Sequence, residues 1–207
     1  MNALKILLSY LFPKGVNVNV ELGTGYEKYR KMPGGFKPTD IVIHHSYSTD
    51  GTKRDWPGIV KFHTSFRHNG NIIEKDKYDE LKAAGATGLV PAWKDVGYNF
   101  GIEDVDGQIV LQIGRLIGAE GAHAEGFNKK SIGICYVGSF DKIAPAERVL
   151  KFGLSLTRDL QIMFAIPRTK IHGHWETFAL QTPPKTIQKS CPGRLFDMKK
   201  YRERCHA

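Results

Sequence analysis

Three short stretches of the 207-residue chain carry side chains with the chemistry of one metal site: Ile41-Val42-Ile43-His44-His45, Ile171-His172-Gly173-His174 and Lys189-Ser190-Cys191-Pro192-Gly193. Between them they offer two imidazoles and a thiolate. Three such protein ligands leave one tetrahedral position of a zinc ion open for water, which is what separates a catalytic zinc from a closed structural one. No fourth Cys or His stands at the paired spacing that a structural site uses. Neighbouring residues of a strand point to opposite faces, so at most one of His44 and His45 can reach a common ion. His172 and His174 share the same parity and stay unresolved by that rule. The Lys189 cation near Cys191 favours the thiolate, the form that binds metal, and Pro192-Gly193 sets a turn just after it.

The elements that must position these residues follow from hydrophobic period. Residues 41–45 form a β-branched run suited to a buried strand, after which Trp56, Ile59, Val60, His63 and Arg67 recur at helical spacing. Residues 75–84 read as a second, polar helix. Residues 98–103 and 108–113 flank Asp104-Val105-Asp106-Gly107, whose Asp-Gly pair suits a hairpin. Residues 131–137 read as a further central strand, and Pro145 opens a helix through about Met163, with Glu147 in its first turn and Val149, Leu150, Leu154, Leu156, Leu160 and Met163 as its apolar members. Residues 169–172 return as a strand, and 194–204 form a last helix. Strands and helices interleave without a repeat, so the expected fold is a single α/β domain with a mixed central β-sheet flanked by helices. The expected division is an N-terminal appendage over 1–38 and the catalytic domain over 39–207. In the appendage, the alternation of Val16, Val18, Val20 and Leu22 suggests an edge strand. The apolar residues 4–12 lead into Pro13-Lys14-Gly15 rather than a small-residue cleavage site, which favours a short packed or membrane-touching helix over a cleaved signal.

Composition narrows the class. With 41% hydrophobic and 25% charged residues the chain is ordinary for a globular protein, and no apolar run approaches the roughly 18 residues needed to span a bilayer. Thirty Lys and Arg against 21 Asp and Glu give a net charge of +9, which suits polyanions such as nucleic acid, anionic membrane or an acidic wall polymer. The basic residues are scattered, without the density or aromatic interleaving of a nucleic-acid module, so no nucleic-acid partner is expected. Three cysteines are too few, and odd in number, for a disulfide scaffold, and they point to folding in a reducing compartment. Cys135, inside a strand-like run, reads as a small buried hydrophobe, and Cys205 as a surface residue near the end.

Taken in order, Ile41-Val42-Ile43-His44-His45-Ser46, Gly97-Tyr98-Asn99-Phe100, Gly114-Arg115, Gly121-Ala122-His123-Ala124, Asn128 with Ser131-Ile132-Gly133-Ile134, Gly173-His174 and Lys189-Ser190-Cys191-Pro192-Gly193 resemble the zinc-dependent N-acetylmuramoyl-L-alanine amidases of the type 2 family. That group includes phage lysis amidases and animal peptidoglycan recognition proteins. The resemblance covers roughly residues 39–197. It implies that His44, His174 and Cys191 bind one zinc ion and that Tyr98 and Lys189 flank it as catalytic residues. A tyrosine at position 98 sides with the phage lysis enzymes, since the cytoplasmic recycling amidases use a carboxylate elsewhere. The chain departs from the family pattern at Trp175, where a basic residue is common, and in the 17-residue interval from His174 to Cys191.

The chemistry this implies is hydrolysis of an unactivated amide. Zinc lowers the pKa of bound water to about 7, and zinc with the Lys189 ammonium stabilises the carbonyl oxygen as it gains charge. The Tyr98 hydroxyl orients the water or the tetrahedral intermediate. His123, Arg115 and Asn128 are candidate substrate contacts, with His123 also a possible carrier of the proton to the leaving amine and Glu176 a weaker one. His45 reads as an outer or core residue.

The expected function is that of an endolysin cleaving the bond between N-acetylmuramic acid and L-alanine in peptidoglycan. The expected form is a monomer held in the host cytoplasm until a separate membrane-permeabilising protein gives it the wall. Competing readings are a noncatalytic peptidoglycan-binding module, a hydrolase with Cys191 as nucleophile, and a basic protein that regulates a polymerase.

Overall fold

The computed structural model describes residues 19–22, 37–48, 55–186 and 189–205. The apolar stretch 4–12 lies outside the described residues. Six strands form the main sheet: β1 (Asn19–Leu22), β2 (Asp40–His45), β6 (Phe100–Val105), β7 (Gln108–Ile113), β8 (Ser131–Tyr136) and β9 (Ile171–Gly173). Their spatial order is β1-β7-β6-β8-β2-β9. β6 and β7 are antiparallel, while β1 on β7, β6 on β8, and β8 and β9 on β2 are parallel. The sheet is therefore mixed, as the interleaved pattern predicts. β1, inside the segment read as an appendage, is an edge strand of this sheet.

Helices cover both faces. On one, Ile41, Ile43, Ile132, Ile134 and Tyr136 pack in one cluster with Val149, Leu156 and Leu160 of α3 (Glu147–Phe164) and Tyr201 of α5 (Met198–Arg204). On the other, Cys135 and Val137 cluster with Val96 and with Trp56, Ile59 and Val60 of α1 (Trp56–His63). The near-continuous apolar runs of β2 and β8 are what a parallel strand buried on both sides requires. Between β6 and β7, Asp106 at φ 49° and Gly107 at φ 85° make the two-residue turn that matches strand twist. Among the described residues no helix is long and apolar enough to cross a membrane.

The structure departs from the sequence-based expectations in the bounds of two strands, Phe100–Val105 in place of 98–103 and Ile171–Gly173 in place of 169–172, and more substantially elsewhere. Arg67 does not continue the helix from Trp56: α1 stops at His63, where Thr64 Oγ1 bonds back to the Val60 carbonyl at 2.9 Å. Arg67 then joins β3 (Phe66–His68), the middle strand of a small antiparallel sheet with β4 (Asn71–Ile73) and β5 (Leu89–Val90), beside the polar helix α2 (Lys75–Ala83). The last helix starts at Met198 rather than 194, with Asp197 as its cap accepting from the Lys200 N–H at 3.0 Å. Cys205 is not a surface residue but 1% exposed, packed into the main core. The chain end that carries it is held on α3 by Arg158, whose Nε donates to the Arg204 carbonyl at 3.2 Å.

Candidate metal centre

β8, β2 and β9 run parallel and side by side, so their carboxyl ends meet at one edge, the usual place for a ligand site in such a sheet. His44, next to last in β2 and 1% exposed, faces away from Ile41 and Ile43. The register sets Ile43 beside Gly173, which brings the following residue, His174, next to His44 with ring centroids 4.5 Å apart. At that point the strand ends, because His174 is the first residue of α4 (His174–Ala179). The Gly173 N–H donates to Glu176 Oε2 at 2.7 Å, and Arg202 on α5 holds the same carboxylate with bonds of 2.8 and 3.1 Å. Glu176 is thereby a brace for the start of α4 and not a proton carrier in the cleft.

Cys191 arrives on a loop fastened to the residues after β8. Ser190 Oγ and the Arg194 N–H each donate to Asp141 at 2.9 Å, and the Leu195 N–H donates to the Phe140 carbonyl at 2.9 Å. Gly193, at φ 115°, passes so close that an added Cβ would stand 2.6 Å from the Phe140 carbonyl carbon, so both space and backbone demand glycine there. The Cys191 carbonyl accepts the Trp175 N–H at 2.9 Å, which ties the loop to α4. Its Sγ lies 3.7 Å from His44 Nδ1 and accepts the His45 N–H at 3.4 Å.

The ligand atoms of His44, His174 and Cys191 all fall within 4.8 Å of one another. Bonds of about 2.1 Å to nitrogen and about 2.3 Å to sulfur put two ligands of one tetrahedral zinc about 3.6 Å apart. The 3.7 Å between His44 Nδ1 and Cys191 Sγ matches that separation, so donor types and spacing both fit zinc. Electrostatics point the same way. Burial, aided by the neighbouring His174 and His123 rings, holds His44 well below the usual imidazole range, and burial with the Lys189 charge pushes His174 down to about 4. Both rings are neutral at pH 7, the state that binds metal. The thiol behaves differently from the sequence expectation: burial pushes Cys191 up to about 12, outweighing the lowering by the His45 N–H and Lys189. Without a cation the sulfur keeps its proton.

Tyr98 stands just before β6 with its ring 5.1 Å from that of His44. Burial holds its phenol well above the usual range, with smaller contributions from Cys135 and Cys191. Lys189 is exposed, with Nζ 5.5 Å from the centre of the Phe178 ring, and its charge is felt at both His174 and Cys191. Two rings absent from the sequence-based candidates complete the wall. His63 packs at 5.4 Å on Tyr98 and 4.7 Å on Trp93, and its Nδ1 accepts the Gly97 N–H at 3.1 Å. Their signal was faint: His63 lies on the α1 face begun by Trp56, while Trp93 sits in a segment without period.

The remaining histidines separate cleanly. His172 turns away from the cluster and pairs through Nε2 with Asp40 Oδ1 at 2.8 Å, both buried. His45 lies on the opposite face of β2, where Nδ1 accepts the Phe140 N–H at 3.2 Å. Of the candidate substrate contacts, His123 reaches the His44–His174–Cys191 cluster from behind, its Nδ1 3.0 Å from His44 Nε2. Asn128 Oδ1 accepts the N–H groups of His123 and Ala124, both at 2.8 Å. Arg115 spends its guanidinium on the backbone carbonyls of Val96, Glu120 and Asp95 at 2.7, 2.7 and 3.3 Å.

Comparison with known proteins agrees with this geometry. The model of one family, described as N-acetylmuramoyl-L-alanine amidase, matches residues 34–194. A peptidoglycan-recognition protein of Drosophila simulans is 33% identical over 111 residues, 53% of this chain and 55% of that protein. The endolysin of Escherichia phage T7 is 34% identical over 113 residues, 54% of this chain and 67% of the endolysin. The chain thus spans about half the length of the insect relative and two thirds of the phage one. Among solved structures, the N-acetylmuramoyl-L-alanine amidase LysC from Clostridium intestinale URNW shares the fold, with a TM-score of 0.52 at 21% identity, covering 91% of this chain and 97% of that one. With three quarters of its length inside the family model, the chain belongs to the N-acetylmuramoyl-L-alanine amidase family.

Proposed function

We propose that the chain is a zinc-dependent amidase of the endolysin type that hydrolyses the amide between N-acetylmuramic acid and L-alanine in peptidoglycan. The observation that carries this reading is the convergence of His44, His174 and Cys191, three ligand groups from distant stretches of chain, within 4.8 Å. When bound, zinc supplies Lewis acidity, lowering the pKa of coordinated water to about 7 and polarising an amide carbonyl. In the net reaction a water oxygen bonds to the lactyl carbonyl carbon, the carbon–nitrogen bond breaks, and the alanine nitrogen leaves with a proton from that water.

The surrounding residues have separate tasks. Tyr98 keeps its proton at neutral pH, as an ordinary phenol does and burial further ensures, and so serves as a neutral hydrogen-bond donor at the reacting centre. Lys189 brings positive charge to the site, where a carbonyl oxygen gaining negative charge is stabilised. The net charge of +9 suits an anionic wall polymer.

Product chemistry on purified murein tests the reading. New alanine amino ends should appear without new reducing sugars, should vanish on chelation, and should return with added zinc. Reducing ends without free amines would make the chain a glycosidase. Murein binding with neither product nor stoichiometric metal would make it a noncatalytic recognition module. Inactivation by a thiol-alkylating reagent, with chelators having no effect, would make Cys191 the nucleophile.

A further inference from the structure

His123 is 8% exposed and has its ring set edge-on to that of His44, with centroids 5.1 Å apart and planes at 86°. The contact between them is one hydrogen bond, His44 Nε2 to His123 Nδ1 at 3.0 Å. Two nitrogens share one proton there, and which ring owns it decides what His44 can do at its other nitrogen. His44 Nδ1, the atom facing Cys191 Sγ at 3.7 Å, can give a lone pair to an ion only if the ring's single proton sits on Nε2. His44 must then be the donor and His123 the acceptor, with the proton of His123 on its own Nε2.

From this we infer that His123 is a positioning residue, which fixes the tautomer and ring angle of His44 so that Nδ1 is presented to the metal. The inference rests on the metal reading proposed above.

The local structure is built around that contact. A Cβ at Gly133 would stand 2.6 Å from His123 Cδ2, and one at Gly121 would stand 2.5 Å from the same atom, so two glycines from different segments open the slot that the ring fills. The backbone of the slot is held by Asn128, which binds the N–H groups of both His123 and Ala124, and by the Ala122 N–H bonded to the Gly97 carbonyl at 3.0 Å. Asn128 therefore acts at one remove, by holding the loop that delivers the ring. A ring so enclosed is badly placed to carry a proton to a leaving amine and well placed to hold a neighbour still.

The partner's chemistry also matters. Metal-bound imidazoles usually donate their second N–H to a carboxylate, a carbonyl or water, and removing that partner typically costs 10- to 100-fold in metal affinity. A neutral imidazole orients the ligand without bringing negative charge towards the ion, so the metal keeps more of its Lewis acidity than it would beside a carboxylate.

Two measurements test this on the full chain. In nitrogen-15 NMR of histidine-labelled protein loaded with zinc, His44 should be protonated on Nε2, and His123 on Nε2 and not on Nδ1. In competition with a chromophoric chelator, His123→Leu should bind zinc about 10- to 100-fold more weakly than wild type. His123→Asn, whose carbonyl oxygen can accept in place of Nδ1, should stay within about threefold. A proton on His123 Nδ1 in the zinc-loaded protein overturns the inference, as does a folded H123L variant with wild-type zinc affinity. Should H123L fail to fold, the tautomers read on the wild-type protein decide. A wild-type chain that takes up no zinc sinks the amidase reading and this inference together, whereas zinc uptake with an unmoved affinity in H123L sinks the inference alone.

Discussion

Replacing Cys191 by serine should abolish stoichiometric zinc binding and lower kcat/KM on murein by about 10³-fold or more. The size follows from what is lost: Lewis-acid stabilisation is worth several kcal/mol, and each 1.36 kcal/mol is a factor of ten in rate. A serine hydroxyl is not a thiolate donor, and two imidazoles at the end of a sheet do not replace the third ligand. The fold should survive the change. Cys191 Sγ accepts the His45 N–H at 3.4 Å and lies 3.7 Å from His44 Nδ1 and 3.9 Å from the His45 carbonyl, contacts that a hydroxyl can satisfy. Metal analysis and murein assays on the same preparations, with a thermal melt to show folding, would check this. A C191S variant that keeps its zinc, or keeps activity within tenfold of wild type, is incompatible with the proposed site.

The second large effect is on the pH dependence of zinc affinity. With the Cys191 thiol pushed up to about 12 and His174 down to about 4, the metal-free site between pH 5 and 8 holds neutral imidazoles and a protonated sulfur. Below the pKa of about 7 that zinc gives its coordinated water, binding therefore expels one proton, from the thiol, and above it the water gives up a second. The sign follows from mass action: a reaction that releases a proton is favoured as pH rises, so the apparent association constant should climb about tenfold per pH unit from pH 5 to about 6.5 and more steeply above about pH 7. Ordinary imidazoles would titrate near 6.5 and add a steeper limb below that pH. A thiol acidified by Lys189 to a pKa of about 7 would cancel that upper steepening. Chelator competition at a series of pH values separates the three shapes, and only a slope of one below about pH 6.5 with a steeper limb above about pH 7 matches the burial seen here.

Much of this was legible in the chain because the signals were local. The apolar runs of β2 and β8 mark buried parallel strands, the Asp106-Gly107 pair marks the hairpin, and the alternation of facing in a strand allows at most one of His44 and His45 at the site. What stayed hidden depends on where the chain turns. His172 and His174 share a parity on paper, but β9 ends at Gly173, so one points back to Asp40 and the other opens a helix beside His44. Arg67 continues a helical spacing that the chain abandons at His63, because β3 and its short partners are defined by pairing with one another and not by any period. The Cys191 thiol illustrates the same limit in electrostatics. The adjacent cation is visible in the sequence, whereas the burial that outweighs it exists only once the loop folds onto Phe140 and Asp141.

X-ray absorption at the zinc edge of the reconstituted wild-type chain tests the central claim most directly. One sulfur at about 2.3 Å, with nitrogen or oxygen neighbours at about 2.0–2.1 Å that include two imidazoles, is the predicted shell. A shell of nitrogen and oxygen alone, with no sulfur, would contradict it.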